Sequence, residues 1–474
     1  DLHRRRHSFP TRRSSDLTNA HRTLRIAENV TVLQNALTTA PIAPTILRLA
    51  LPNGLAMTAA ALVSIAETWY VGQLGIMPLA GMALVFPLVM LQQMLSAGSM
   101  GGGITSAISR AMGANNLEKA NALVLHAALI GLGIGLFFTL LFAVFSEVIF
   151  SALGGKGEAL AQCLSYAQLA FAGSISVWLT NALAAVIRGS GNMRTPSKGL
   201  LVTCLVQVVL SAVLGLGFGP IPSFGMSGIA SGLLIAFTGS ALYFLWYLRS
   251  ENSTLRLNFN SPLSKELFVD ILKVGGISSI SSVLTVATIL VVTRLIANFG
   301  PEALAGYGIG TRLEFLLVPI TFSFGVACLP MVGMALGANM VARAKKVAWT
   351  GAFMSAALVG CIGLVVTVWP GLWANLFSNS SLVLANAGQY FLTVGPCYGF
   401  FALGLCLYFA SQGAGKLWGP VMAGTFRLVL VSVGGVWLSQ NNGTAAQMFL
   451  VIATGMVCYG VLTALAVWKT NWAR

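Results

Sequence analysis

Glu67 is a carboxylate set near the end of a long apolar run, in the stretch "TAAALVSIAETWYVGQLG". Keeping such a group ionised inside a bilayer costs roughly 2.5–3.5 kcal/mol on insertion scales. An acid that gains and loses a proton there can tie proton movement to another event. The other deep ionisable residues, Arg294, Arg312, Glu314 and Arg427, all lie in the second half of the chain. Glu314 therefore has two readings: a buried ion pair that holds that half together, or a second coupling or substrate group. Arg312 is two residues from Glu314 and faces another way on the same helix. Arg294 or Arg427 is the expected partner. The first half offers no deep arginine, because Arg110 and Arg188 sit at segment ends. Glu67 is thus left without a structural counter-ion and is assigned to ion coupling, with a hydrogen bond to a neighbouring helix as the bland alternative.

The stretch "FPLVMLQQMLSAGSMGGG" carries Gln92 and Gln93 among methionines and small residues. It suits either tight helix packing or the wall of a broad, adaptable cavity. Asn181 and Gln207 are the further polar candidates, beside Glu67 or on that cavity. His126 reads as a satisfied packing residue. It is the only histidine after residue 21, and no His/Asp or Ser/His/Asp cluster appears, which argues against an enzyme. The seven cysteines, at 163, 204, 328, 361, 397, 406 and 458, show no CxxC or Cys/His spacing. Buried reduced thiols are expected, with no disulfide, no metal site and no cofactor.

The elements that carry these residues are membrane helices. The chain has 474 residues, 56% hydrophobic and 8% charged, against about 25% charged in soluble domains. Its apolar runs reach the roughly 20 residues a spanning helix needs and are too long and too uniform for barrel strands. Twelve spans are expected, at 46–71, 79–105, 120–152, 158–186, 198–219, 224–249, 267–298, 302–330, 345–376, 382–411, 417–438 and 444–468. Pro52, Pro87, Pro319 and Pro396 interrupt spans and permit bending. The polar stretch from Arg249 to Glu266 reads as a linker at 250–266 between a six-helix lobe at 41–249 and another at 267–474. Residues 1–40 are expected to be disordered. Within them, 1–17 read as a sequencing artefact, since Arg13 to Leu17 match a translated sequencing adaptor.

The formal charge of +15 does not point to nucleic acid, because most Lys and Arg lie in short loops. Arg110, Lys119, Arg188, Arg194, Lys198, Arg249, Arg256, Lys265, Arg343, Lys345, Lys346 and Lys416 follow the even-numbered spans. That bias places both termini in the cytoplasm of a cell (inner) membrane protein. Trp69, Tyr70, Trp246, Tyr247, Trp373, Trp437 and Trp468 fall near span ends, where an aromatic belt belongs.

The halves repeat. Gly75 with Leu79-Ala80-Gly81 recurs as Gly300 with Leu304-Ala305-Gly306, and Gly113-Ala114-Asn115 recurs as Gly337-Ala338-Asn339. Tyr166 maps to Tyr390, Gly189-x-Gly191 to Gly413-x-Gly415 and Pro196 to Pro420, all at an offset of 224 or 225. Six spans per repeat bring both halves in from the same side, which gives a parallel pseudo-two-fold axis along the membrane normal.

The ordered set "ETWYVGQLGIMPLAG", "AISRAMGANNLEKA", "AVIRGSGNMRTP", "ANFGPEALAGYGIGTRLEF", "LPMVGMALGANMVARA" and "ASQGAGKLWGP" resembles the multidrug and toxic compound extrusion (MATE) family from about residue 41 to 468. The resemblance implies an all-α integral membrane protein of twelve transmembrane helices in two pseudo-symmetric lobes around a V-shaped cavity. It implies an antiporter that exports cationic or amphipathic compounds in exchange for protons or sodium ions. The family usually has Asp where this chain has Glu67, and its acids of spans 7 and 10 are absent. Span 7 has only Asp270 and Lys273 near its start. Protons are therefore the expected ion, with competition between proton and cationic substrate at Glu67 as the coupling step. A sodium-coupled exporter and a lipid-linked oligosaccharide flippase of the same superfamily stand as alternatives. The flippase would want cations deep in the first lobe.

Overall fold

The computed structural model describes residues 37–473. The expectations for residues 1–36, the adaptor-like stretch included, lie outside the described residues. The rest is helical, and the described residues hold no strand beyond an isolated bridge between Phe218 and Ile221.

The first half holds α1 (Ile42–Leu74), α2 (Ile76–Gly113), α3 (Leu117–Ala152), α4 (Gly157–Ala172 with Ser174–Gly189), α5 (Arg194–Leu216) and α6 (Gly225–Arg249). The second holds α7 (Lys265–Ala297), α8 (Pro301–Gly337), α9 (Val341–Val368), α10 (Ser381–Ala414), α11 (Trp418–Gln440) and α12 (Ala445–Lys469). Eleven are long and apolar enough to cross a bilayer singly, and the bent pair of α4 makes the twelfth.

The expected spans match these helices with three instructive differences. Span 4 breaks by 45° at Gly173. Span 9 stops at Val368 rather than 376, because Pro370 pushes Trp369 out of the helical region to φ −128°, ψ 68°. Span 8 runs on to Gly337, past Pro330, whose lost hydrogen bond the surrounding helices tolerate. Pro52, Pro87 and Pro319 lie inside continuous helices, whereas Pro396 sits in a single 3-10 turn, Gly395–Cys397, within α10.

The repeat is visible in the backbone. Gly75 and Gly300 open α2 and α8 at φ 125° and 104°, a region that favours glycine. Asn115 and Asn339 end the same helices in the left-handed region, at φ 56° and 60°. A Cβ on Gly81 would lie 2.8 Å from Cys163 N, and one on Gly306 2.8 Å from Ala387 N. These glycines let α2 cross α4, and α8 cross α10, at backbone contact.

Lipid-facing side chains such as Leu51, Leu55, Leu62, Phe137 and Leu140 are exposed, as are Trp69, Trp246, Trp437 and Trp468 near the helix ends. The main buried cluster is shared between halves, joining Ile104 and Ile108 of α2 to Met331 and Met334 of α8. The segment between α6 and α7 is packed rather than loose. Leu255 and Leu257 are buried, Arg256 N donates to Asn121 Oδ1 (2.8 Å) and Ser264 N donates to His126 Nε2 (3.0 Å).

Candidate functional site

Glu67 is buried in the first half, at 5% exposure. Its partners come from α5, one helical turn apart. Gln207 Nε2 donates to Glu67 Oε1 at 2.9 Å and Ser211 Oγ donates to the same oxygen at 3.0 Å. Ser211 Oγ also lies 3.0 Å from the carbonyl of Ile229 on α6. One hydroxyl proton therefore has two acceptors. The approach of α6 that creates this choice depends on glycines: a Cβ on Gly228 would sit 2.1 Å from Leu214 O, and one on Gly232 2.4 Å from Ser211 Oγ. Tyr166 and Cys204 are within electrostatic reach of Glu67. No Lys or Arg approaches its carboxylate within 4.0 Å among the described residues.

The other first-half candidates sit apart from Glu67, with Gln207 the exception. Gln92 accepts from Ser174 Oγ (3.0 Å). Asn181 Nδ2 donates to Gln93 Oε1 (3.1 Å) and Ser96 Oγ (2.8 Å). These bonds stitch α2 to α4. His126 is satisfied, with Nδ1 paired to Ala122 O (2.8 Å), Nε2 accepting from Ser264, and its ring against Phe268.

A cavity lies in the second half. It measures about 340 Å³ and is walled by α7, α8, α10, α11 and α12, with Met90, Met94 and Gly98 of α2 closing one side. Glu314 and Arg427 both face it. None of Glu67, Gln92, Gln93, Asn181 or Gln207 lines it. A molecule held in this cavity would not touch Glu67.

Glu314 does not form the ion pair expected of it. No arginine comes within 4.0 Å of it among the described residues. It takes a hydrogen bond instead from the Tyr390 hydroxyl of α10, with the buried Tyr398 hydroxyl beside it. The missing side chain of Gly310, one turn earlier, leaves the slot that the Tyr390 ring fills, since a Cβ there would lie 2.2 Å from the ring. Arg427 faces Glu314 at longer range and lies over the rings of Phe401 (5.1 Å) and Tyr459 (6.0 Å). Arg294 is exposed and forms no ion pair with Glu314. Arg312 is also exposed and stacks on Phe377 at 4.9 Å.

The halves are latched at the basic-loop end. Arg110 of α2 binds Asp270 of α7 at 2.6 Å and Lys119 reaches the same carboxylate at 3.3 Å. Ser106 Oγ donates to Gln412 O at 2.6 Å. Gln412 Nε2 reaches the carbonyls of Gly98 (3.0 Å) and Ser99 (3.2 Å) and the hydroxyl of Ser278 (2.9 Å). Gly98 and Ser99 lie in a π-helical turn of α2, Met94–Met100. A Cβ on Gly113 would lie 2.1 Å from Met334 O, so α2 and α8 cross at backbone contact. The lobes are thus closed on the basic-loop side, and the cavity begins beyond Gly98 and Ser282.

Sequence reasoning missed Ser211, Tyr390 as a ligand, and Gln412. Ser211 is the residue four positions after Gln207, so helical spacing marked it. Tyr390 was visible only as the repeat mate of Tyr166.

The family model described as MatE matches residues 52–213 and 278–437, most of both halves. The chain belongs to the MATE family. MATE proteins are transporters rather than enzymes, and this chain is an efflux transporter of that family. Among relatives, an "FAD transporter" of Shewanella oneidensis is 23% identical, covering 80% of this chain and 83% of that protein. A "Probable multidrug resistance protein NorM" of Thermotoga maritima is 23% identical, covering 89% and 87%. A solved structure titled as the outward-facing conformation of a multidrug resistance MATE family transporter superposes with a TM-score of 0.83. It is 22% identical and covers 92% of this chain and 98% of that one, which supports the MATE fold.

Proposed function

We propose that this chain exports small amphipathic organic molecules in exchange for protons, by alternating access of its two lobes. The observation that carries the reading is the Glu67 pocket. When Glu67 is ionised, Ser211 donates to it. When Glu67 is protonated, it becomes the donor, Ser211 Oγ accepts, and the serine proton turns to Ile229 O. The Ser211 hydroxyl keeps an acceptor for its proton in both states, and the states differ in what ties α1 to α5 and α6. A proton so placed can bias two packings of the first lobe without touching the substrate.

By the positive-inside bias, the latched end faces the cytoplasm, together with both termini. The arrangement is then outward-facing, with the cavity on the releasing side of the latch in a cell (inner) membrane. The multidrug names of the relatives support a broad small-molecule substrate class. Sodium needs several oxygen ligands, and the Glu67 pocket adds one hydroxyl and an amide that donates. One proton moving inward at about 150 mV and half a pH unit supplies roughly 4 kcal/mol. That sustains about a thousandfold gradient of a neutral substrate. In proteoliposomes, substrate movement should follow an imposed pH gradient with sodium absent. Transport that ignores the pH gradient and follows sodium would overturn the assignment.

A further inference from the structure

We propose that the second-lobe cavity is an amphoteric site, binding a ring-bearing small molecule by an acid group on Arg427 and a basic group on Glu314. The inference rests on the reading that this cavity takes the substrate.

Both residues face the same cavity of about 340 Å³, a volume in the range of small-molecule sites. They carry opposite charges yet are not closed on each other, since no ion pair within 4.0 Å joins them. Arg427 makes only face contacts with Phe401 and Tyr459, and its Nε is buried without a hydrogen-bond partner. A guanidinium has five donors and no acceptor. The two rings meet it by their faces, and no hydrogen bond joins it to the Tyr459 hydroxyl. Glu314 takes a hydrogen bond from Tyr390, with the Tyr398 hydroxyl beside it, and neither donor carries a positive charge.

The threonine protons on this wall are not free for Glu314. Thr285, Thr288 and Thr293 donate to their own helix, at 2.8, 2.7 and 2.8 Å. A simple cation entering here would satisfy Glu314 while being repelled by a bare Arg427. A simple anion would meet the converse problem. A molecule with both groups satisfies both charges and replaces lost water at each. Tyr307, Phe315, Phe322 and Tyr408 then wall the ring system.

Binding of three fluorescent probes to the purified full-length protein in nanodiscs tests this. Nε-dansyl-lysine is a zwitterion, its methyl ester a cation and its Nα-acetyl derivative an anion, all with the same ring. The wild type should bind the zwitterion at least tenfold more tightly than either relative. Arg427→Gln should erase the preference over the ester, Glu314→Gln the preference over the acetyl form, and Arg427→Lys should keep part of it. Thermal unfolding of each variant separates lost folding from lost selectivity. Equal binding of zwitterion and ester by the wild type, or equal weakening of all three probes by Arg427→Gln, overturns the inference. Failure of all three to bind also overturns it. Proton-driven export of a lipophilic cation in the same nanodisc batch, reconstituted into liposomes, would show that the transport reading survives such a failure.

Discussion

Gln207 on α5 donates to Glu67 on α1 across 2.9 Å, and Ser211, one turn further along α5, donates to the same carboxylate oxygen. Two helices distant in sequence thus share one titratable group, and the contact changes character when that group takes up a proton.

Glu67→Gln keeps the volume and removes the titration. Export should fall at least tenfold while expression and thermal stability stay near wild type. Efflux from cells at matched expression is the measurement, and unimpaired efflux would remove Glu67 from the mechanism.

Ser211→Ala deletes the hydroxyl that switches between Glu67 and Ile229. The loss of one hydrogen bond to a charged group is worth about 1.5–3 kcal/mol. Proton-driven exchange in proteoliposomes should drop about tenfold or more. Wild-type exchange rates in this variant would mean that Ser211 is only a packing residue.

Tyr390→Phe removes one donor to Glu314 and should lower the melting temperature, at a cost of about 1.5–3 kcal/mol for an ionised acceptor. In a double-mutant cycle with Glu314→Ala the two losses should overlap rather than add. Additive losses would show that the Tyr390 hydroxyl and Glu314 do not interact in the folded protein.

Asp270→Asn cuts the contacts to Arg110 and Lys119. These side chains are partly exposed, at 13%, 27% and 43%, so about 1 kcal/mol is expected. That shifts the balance between closed and open basic-loop ends roughly fivefold. Spin-label distances across that end would report it, and an unchanged distance distribution would count against the latch.

Gly113→Ala places a methyl 2.1 Å from Met334 O, whereas Gly133→Ala meets nothing within 4 Å. The first should open the basic-loop end or reduce folded yield, and the second should be silent. Equal behaviour in gel filtration and cysteine accessibility would contradict the close crossing of α2 and α8.

The helices, their number and the repeat were legible in the sequence because each depends on local physics. A run of about 20 apolar residues must span, and Gly75, Gly300, Asn115 and Asn339 mark turns that need positive φ. Glu67 stood out because an unpaired acid in such a run is costly. Its partnership with Gln207 fell within the expected neighbourhood, but Ser211 did not, although it shares the helical face.

The partner of Glu314 was decided by tertiary structure. Opposite charges in one half suggested an arginine, yet the slot at Gly310 admits the ring of Tyr390 from 76 residues away and fills the position first. The same holds for the cavity. Polarity along the chain marked Gln92, Gln93 and Asn181, but Gln92 pairs with Ser174 and Asn181 with Gln93 and Ser96, between α2 and α4. Space remains instead where α7, α8 and α11 diverge. Sequence determined which stretches enter the bilayer, because hydrophobic transfer is a property of each segment alone. Which side chains meet across helices, and where room is left, depends on close approaches at glycines many residues apart, and only the packed fold decides that.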